Sequence, residues 1–563
     1  MKILLTNGYD ADDPIRGHDT LDSFSTLAKG DLSLRFSAYQ PCYGLHLMAQ
    51  NLKGDVTVLE RHSLEDFERE IRGGYDLVGL QVITLHTQKV AEMMRRCSSL
   101  SPETRIVVGG PGIAVLDYLT EQDPSGFGGC ISTELLEASR WILEEADGIC
   151  RGEGAEFLRR FTGDEPAERP LVQNHNPVLD VAIHGLEGLF SLPHYILIHA
   201  LGCPNGCEFC ASSMAFRHER IMLLSPGECL AGLKRNVRRA GGKAVTTYIQ
   251  DDNLLEQPEF VRELGGLIRD DGEFGLAKLN YSTFASMRSL QHFDPVELLE
   301  YGVASLFLGV ESNFDEVVSI CEKRACDDVP SRFDELHRHG IITTASFILG
   351  WDFHTHESVL EDIRRLVALR AVMYHVNPLA ACPGTRLFDR LLREGRIAGF
   401  TPENATCWST DYIRYRPLTF HDLLYYQDLA HRWIYQENGP HILRRLEVLL
   451  NGLEFCRNSR RERLRRDRAV YYLEKCRELY PVLETCRVLA PNRGVYDRVR
   501  EVEKRYGELL GPPDAMQCFA SSLARQQLVR AYEDRRENRG PRPAPPSLTR
   551  TCFVDGKPAK ECP

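Results

Sequence analysis

Residues 195–210 read Tyr195-Ile-Leu-Ile-His-Ala-Leu-Gly-Cys203-Pro-Asn-Gly-Cys207-Glu-Phe-Cys210. An apolar strand pattern runs into a loop rich in glycine and proline, and the loop carries cysteines spaced C-x-x-x-C-x-x-C. Thiolates are soft donors, and at this spacing on a curled loop they can converge on three irons of a cubane. Structural zinc wants four ligands, usually in paired C-x-x-C knuckles, and no second pair lies nearby. Three core cysteines meeting by chance would not suit so polar a loop. The reading is therefore a [4Fe–4S] cluster on Cys203, Cys207 and Cys210. Three protein ligands leave the fourth iron open, which suits substrate binding better than electron storage.

Downstream of this loop, strand and helix patterns alternate. Strands are expected at Tyr195–Ala200, Val245–Gln250, Lys278–Phe284, Ala304–Val310, Thr343–Leu349 and Tyr374–Leu379. Helical spacing fills Pro226–Ala240, Pro258–Arg269, Pro295–Tyr301, Ser331–His339 and Glu357–Leu369. Six βα units in so short a stretch suit an open, partial barrel better than a closed one of eight strands.

Upstream, the same alternation occupies residues 1–165. Lys2–Thr6, Val56–Glu60, Asp76–Ile83 and Arg105–Gly109 read as strands, with helices at Ser63–Arg72 and Thr87–Ser99. Near-continuous apolar strands indicate a parallel sheet covered on both faces, a doubly wound Rossmann-like α/β domain. Residues 165–190 carry prolines and little periodicity, and read as a linker to a barrel spanning 190–400. Helices are expected at Asp422–Gln436, Ile442–Phe455, Asp467–Leu479 and Tyr496–Leu510 within a helical region, 401–540. The Pro-rich tail, 541–563, reads as disordered. The fold class is α/β, with a mostly helical C-terminal region.

With 563 residues and a net charge of −12, the chain is too long for one core and has no general affinity for nucleic acid. No apolar run approaches the ~20 residues that span a bilayer, and the N-terminus carries no export pattern, so a cytoplasmic protein is expected. Most of the 18 cysteines sit singly in helical patterns and read as small buried hydrophobes. Cys552 and Cys562 could bind metal only with ligands that are not nearby. Arg457–Arg468 carries seven arginines. A solvated helix face is the plainer account of them; docking of an anionic partner, or peripheral contact with a membrane, is the other.

The segment around Cys203 resembles the radical S-adenosylmethionine (SAM) superfamily, whose hallmark is C-x-x-x-C-x-Φ-C after the first barrel strand; Phe209 fills the aromatic position. The resemblance implies that SAM chelates the open iron and is cleaved to methionine and a 5′-deoxyadenosyl radical. It also implies SAM contacts at successive strand ends. Asp251 and Asp252 would hold the methionyl ammonium, Ser282 and Thr283 ribose or carboxylate oxygens, Glu311 the ribose, and Gly350 the adenine through its backbone. Pro383-Gly384-Thr385 resembles the turn that ends many such barrels, which makes Cys382 structural.

An α/β domain ahead of such a barrel resembles the cobalamin-binding (B12) subgroup. Thr84 at one strand end, Gly109-Gly110-Pro111 at the next and Glu153 at the last would border the corrin, glycine letting it approach the backbone. The D-x-H-x-x-G motif that supplies a cobalt ligand elsewhere is absent. His18 reads as a polar loop residue, and His86 lies nearer the expected corrin face. The expected activity is cobalamin-dependent methyl transfer to an unactivated carbon of a small-molecule, lipid or peptide substrate, with flavodoxin or ferredoxin as electron donor. A non-methylating radical SAM cyclase or rearrangement enzyme, and a non-catalytic iron–sulfur protein, are the alternatives. The helical region would cover the barrel mouth and set specificity. No catalytic acid or base is identifiable from sequence.

Overall fold

The structure is a computed structural model that describes residues 1–11, 36–38, 40–164, 171–183, 191–321, 328–404, 409–536 and 548–559. Its first part supplies β1 (Lys2–Thr6), β2 (Phe36–Ala38), β3 (Asp55–Glu60), β4 (Leu77–Gln81), β5 (Arg105–Gly109) and β6 (Gly148–Ile149). All but β2 lie parallel in one sheet, in the spatial order β3-β1-β4-β5-β6. Side-chain alternation sends Leu4, Leu59, Val78, Ile106 and Val108 to one face, and Ile3, Leu5, Val58, Leu77 and Val107 to the other. Helices cover both faces, as the unbroken apolar strands require. In this doubly wound order the strand sequence reverses between β1 and β4, which leaves a crevice beyond the carboxyl ends of the strands.

The second sheet holds β7 (Leu179–Ile183), β8 (Ser191–Ile198), β11 (Val245–Gln250), β12 (Leu279–Ser286), β13 (Val303–Glu311), β14 (Ile342–Leu349) and β15 (Met373–Pro378). Between β8 and β11 lies a short antiparallel pair, β9 (Ala200–Leu201) and β10 (Ile221–Met222). Strands β8 and β11 to β15 are parallel and form the expected six-stranded open barrel. Two antiparallel strands, β7 and then β2, extend its β8 edge. The presumed linker therefore contains a strand, one that proline-rich flanks hide from a periodicity reading.

The tail supplies a larger correction. Residues 548–559 are ordered: β16 (Thr549–Val554) pairs antiparallel with β3, and β17 (Lys557–Pro558) folds back on it. Phe553 is buried in the N-terminal core, and Arg550 pairs with Glu70 at 2.9 Å. Thr-Arg-Thr-Cys-Phe-Val is a good edge strand, but the prolines before it dominate the composition. Cys552 is buried and disulfide-bonded, so its sulfur is not available to a metal; Cys562 lies outside the described residues.

The C-terminal helices span Phe420–Asn438, His441–Asn458, Ala469–Val488, Arg493–Leu510 and Ala515–Arg536. Most of them pack beneath the barrel, at the amino ends of its strands, and not over the mouth. Arg444 Nε donates to the Val372 carbonyl at 3.0 Å, just before β15, and Asn451 donates to the His337 carbonyl. Gly340, ahead of β14, meets Gly452 so closely that neither could carry a side chain. The arginine-rich stretch is the clamp. Arg461 pairs with Glu300 and Arg463 with Asp270, while buried Arg468 bonds Asn280 and the Val303 carbonyl. Its cations are largely spent inside the molecule.

Candidate functional site

Strand β8 ends in the cysteine loop at the carboxyl-end mouth of the barrel. Cys203 and Cys207 are buried, and Cys210 is half-buried at the start of a short helix, Ala211–Ala215. The Ser213 hydroxyl donates to the Cys203 carbonyl at 2.6 Å and also meets the Asn205 carbonyl. Glu208 N–H donates to the Ile320 carbonyl, Leu387 N–H donates to the Glu208 carbonyl, and Arg288 donates to Asn205 Oδ1. The loop is thus tied to three neighbouring segments. Among the described residues no three His, Cys, Asp or Glu side chains form a group that could hold a single metal ion. A cubane asks for a different arrangement, one thiolate at each of three separate irons. Three thiols on one pinned loop, whose single carboxylate, Glu208, lies 3.5 Å from Arg390, are a donor set that fits it. Phe209 stands edge-to-face against Trp351, ring centres 5.9 Å apart.

At the end of β11 the structure separates the two acidic candidates. The Asp251 carboxylate is buried and committed: it meets His199 Nδ1 at 2.9 Å, accepts from Asn253 N–H and Gln257, and lies 3.5 Å from Arg220. Asp252, beside it, is half-buried. The His199 ring packs tilted against Phe260, ring centres 4.1 Å apart. Sequence reading missed this pair because its members are 52 residues apart.

Ser282 and Thr283 also part company. Ser282 is half-buried on the lumen side of β12, whereas Thr283 is fully buried on the opposite face with Tyr281. Thr283 therefore cannot reach the lumen, because adjacent strand residues point to opposite faces. Glu311 closes β13 at a register shift, with φ of +62°. A bulge of this kind re-aims a side chain, and here the Glu311 carboxylate accepts from Ser346 Oγ at 3.2 Å. Gly350, at φ +99°, sits where a Cβ would meet Leu423. Its N–H donates to His354 Nδ1 at 3.2 Å, and His354 Nε2 meets Asp362 at 3.1 Å. The same Asp362 carboxylate accepts from Ser312 Oγ and Asn313 N–H, so one buried acid ties the loops after β13 and β14 together. Its sequence signal is an aspartate on the apolar stripe Val359, Ile363, Leu366. Cys382 is structural in its setting: its carbonyl accepts from the Thr385 hydroxyl, and burial pushes its thiol up to about 12.

A cleft of about 520 Å³ opens between the carboxyl ends of the N-terminal sheet and the barrel. Gly109, Gly110, Pro111 and Glu153 line it from one side, and Leu201, Met214, Phe216 and Gly384 from the other. Among the described residues no histidine lines it. Thr84 does not line it either; it begins the turn Thr84–His86, which packs against 402–404. His86 is buried on Gly8, and burial holds its imidazole down at about 4. His18 lies outside the described residues. Both Glu153 oxygens cap the helix Gly154–Phe161, accepting from Ala155 and Glu156 N–H at 2.7 Å. Gly110 is required by the turn itself: φ is +105°, and a Cβ would lie 2.8 Å from the Val82 carbonyl. Gly152, like Gly44, faces open space in the cleft.

Residues 197–366 match the model of the radical SAM superfamily. The chain is 26% identical over 385 residues to the hopanoid C-2 methylase of Rhodopseudomonas palustris, covering 64% of this chain and 66% of that one. It is 21% identical over 346 residues to an uncharacterized methyltransferase of Pyrococcus horikoshii, covering 56% and 69%. Among solved structures, the radical SAM methyltransferase TsrM of Kitasatospora setae, with cobalamin and a [4Fe–4S] cluster bound, matches with a TM-score of 0.48 at 15% identity. That match covers 85% of this chain and 99% of the other. The stretch that matches the radical SAM superfamily model carries the cysteine loop and lies within the six-stranded open barrel.

Proposed function

We propose that the protein is a cytoplasmic, cobalamin-dependent radical SAM methyltransferase. One observation carries the reading: the helix Ala211–Ala215, which starts at Cys210, also supplies Met214 and Ala215 to the wall of the interdomain cleft. A corrinoid in that cleft would lie against the element that carries the cluster loop. Both curated relatives are named methylases or methyltransferases, which supports methyl transfer.

What the bound groups would supply is reductive cleavage of SAM at the cluster and a methyl carrier in the corrinoid. The chain's part is to bind, orient and exclude water. Cys203, Cys207 and Cys210 would hold three irons and leave the fourth for the amine and carboxylate of SAM. Asp252 and the neighbouring backbone would receive the methionyl ammonium, with Asp251 holding that turn in place. Glu311, Ser346 and Ser282 would meet ribose oxygens, Gly350 the adenine edge, and Phe209 with Trp351 would wall the site. Gly109, Gly110, Pro111 and Gly152 would border the corrin. A flavodoxin or ferredoxin would deliver the electron.

The test is anaerobic purification, corrinoid extraction with a UV–visible spectrum, then incubation of reduced enzyme with methyl-labelled SAM. Cluster and corrinoid together, 5′-deoxyadenosine release and label leaving the methionine pool are the expected results. Label retained in methionine while 5′-deoxyadenosine accumulates would indicate a non-methylating radical enzyme. A full cluster that never cleaves SAM would indicate an iron–sulfur protein without catalysis.

A further inference from the structure

The lumen of the barrel has a composition that cluster and corrinoid leave unused. Strand register fixes which side chains point inward: Tyr248 stands beside Ser282, Phe284 beside Phe307, and Ser346 beside His375. The rings run in series, Tyr248 to Phe284 at 5.4 Å, Phe284 to Phe307 at 4.8 Å and Phe307 to His375 at 5.7 Å, all edge-to-face. All four are half-buried and not sealed, so their surfaces border open space. A shelf of this kind attracts a large apolar or aromatic surface.

Charge is missing from the wall. Among the described residues, the inward positions of the six parallel strands carry no Lys, Arg or Asp, and Glu311 at the rim is the one carboxylate. Below the shelf Arg468 is spent on Asn280 and the Val303 carbonyl, and Tyr471 closes the floor with its hydroxyl 3.4 Å from Thr246. His375 adds no charge at neutral pH, because burial lowers its imidazole to about 4. An anionic substrate would be desolvated against a wall whose inward strand positions offer it no Lys or Arg. A polar anchor with an open acceptor points in near the carboxyl end of β15. Asn377 Nδ2 lies 2.9 Å from His375 Nε2, and its Oδ1 is buried with no hydrogen-bond partner. A buried acceptor left open calls for a donor on the ligand.

We propose that the lumen takes an uncharged substrate with a broad apolar or aromatic face, packed on Phe284 and Phe307 and oriented by a hydroxyl or N–H donated to Asn377 Oδ1. The proposal names the substrate class for the radical SAM reading and rests on it for the chemistry, but binding alone tests it.

The probes are 2-naphthol, 2-methoxynaphthalene, which lacks the donor, and 2-naphthoate, which carries a charge. Each is equilibrated by dialysis against the full chain reconstituted anaerobically with iron, sulfide and SAM. 2-Naphthol is expected to bind at least about tenfold more tightly than either of the others. Phe307→Ala should weaken it about tenfold, with Phe307→Leu as the milder variant if the first fails to fold. Asn377→Ala should abolish the preference for naphthol over its methyl ether. Naphthoate binding as tightly as naphthol, no measurable naphthol binding, or naphthol binding indifferent to both sites would each overturn the proposal. So would naphthol binding lost in Gly152→Trp but kept in Phe307→Ala, which would place the probe in the interdomain cleft. Release of 5′-deoxyadenosine from the same sample reports separately on the cluster and SAM, so failure of either reading can be told from failure of the other.

Discussion

Asp362 and His354, both fully buried, meet at 3.1 Å beneath the two loops that end β13 and β14. The acid faces Ser312 and Asn313 on one side, and through the imidazole it reaches the Gly350 amide on the other. It touches none of the reacting groups proposed above, and its work is to position them. Asp362→Ala strands several buried donors and should cost about 3–5 kcal/mol of stability. Asp362→Asn, closer in shape, should fold and raise the KM for SAM more than it lowers kcat. Thermal melts and SAM titrations of 5′-deoxyadenosine release check both; an unchanged KM in a folded variant would refute the positioning role.

The cysteine loop gives the sharpest chemical prediction. Changing Cys203, Cys207 or Cys210 to Ala should remove a full iron ligand and abolish SAM cleavage, while Cys382→Ser should retain the cluster. Anaerobic iron and sulfide analysis distinguishes the two. Stoichiometric zinc in place of iron and sulfide would defeat the cluster assignment.

Two glycines in the cleft should behave differently. Gly152→Trp enters open space, so corrinoid content should fall with the cluster intact and the melting temperature nearly unchanged. Gly110→Ala must occupy φ of +105° against the Val82 carbonyl and should cost about 1–3 kcal/mol whether or not corrinoid is present. Equal corrinoid in wild type and Gly152→Trp would argue against the cleft as its site.

Stability should fall in mild acid. His337 lies buried against the Thr343 hydroxyl at 2.7 Å, and burial lowers its imidazole to about 4. The unfolded chain takes up that proton near pH 6.5, so the contribution is complete above pH 6.5 and is lost as the pH falls toward 4. At full size it is on the order of 3 kcal/mol. His337→Gln should flatten the pH dependence of denaturant midpoints over that window, and an unaltered slope would contradict the assignment.

Beneath the barrel, Arg468→Met should destabilise the protein by about 2–4 kcal/mol, because Asn280 and the Val303 carbonyl lose their partner inside the molecule. Binding to anionic vesicles should stay unchanged, since this guanidinium faces the barrel. Loss of vesicle binding with unchanged stability would restore the surface reading of the arginine stretch.

What the sequence by itself determined is whatever neighbouring residues encode. Cys203, Cys207 and Cys210 announce their chemistry by spacing along one loop. Apolar runs of strand length alternating with amphipathic helices announce two α/β layers, because burial of both sheet faces leaves that pattern in the chain. Tertiary structure decided what distant residues do to one another. It spent the Asp251 carboxylate on His199, turned Thr283 away from the lumen, recruited β16 to an edge strand some 490 residues upstream, and set the helical region under the barrel. Motif spacing is local and survives in one dimension. Which carboxylate is already neutralised, and which face of a strand meets the cavity, follow from contacts made only when the chain has closed on itself.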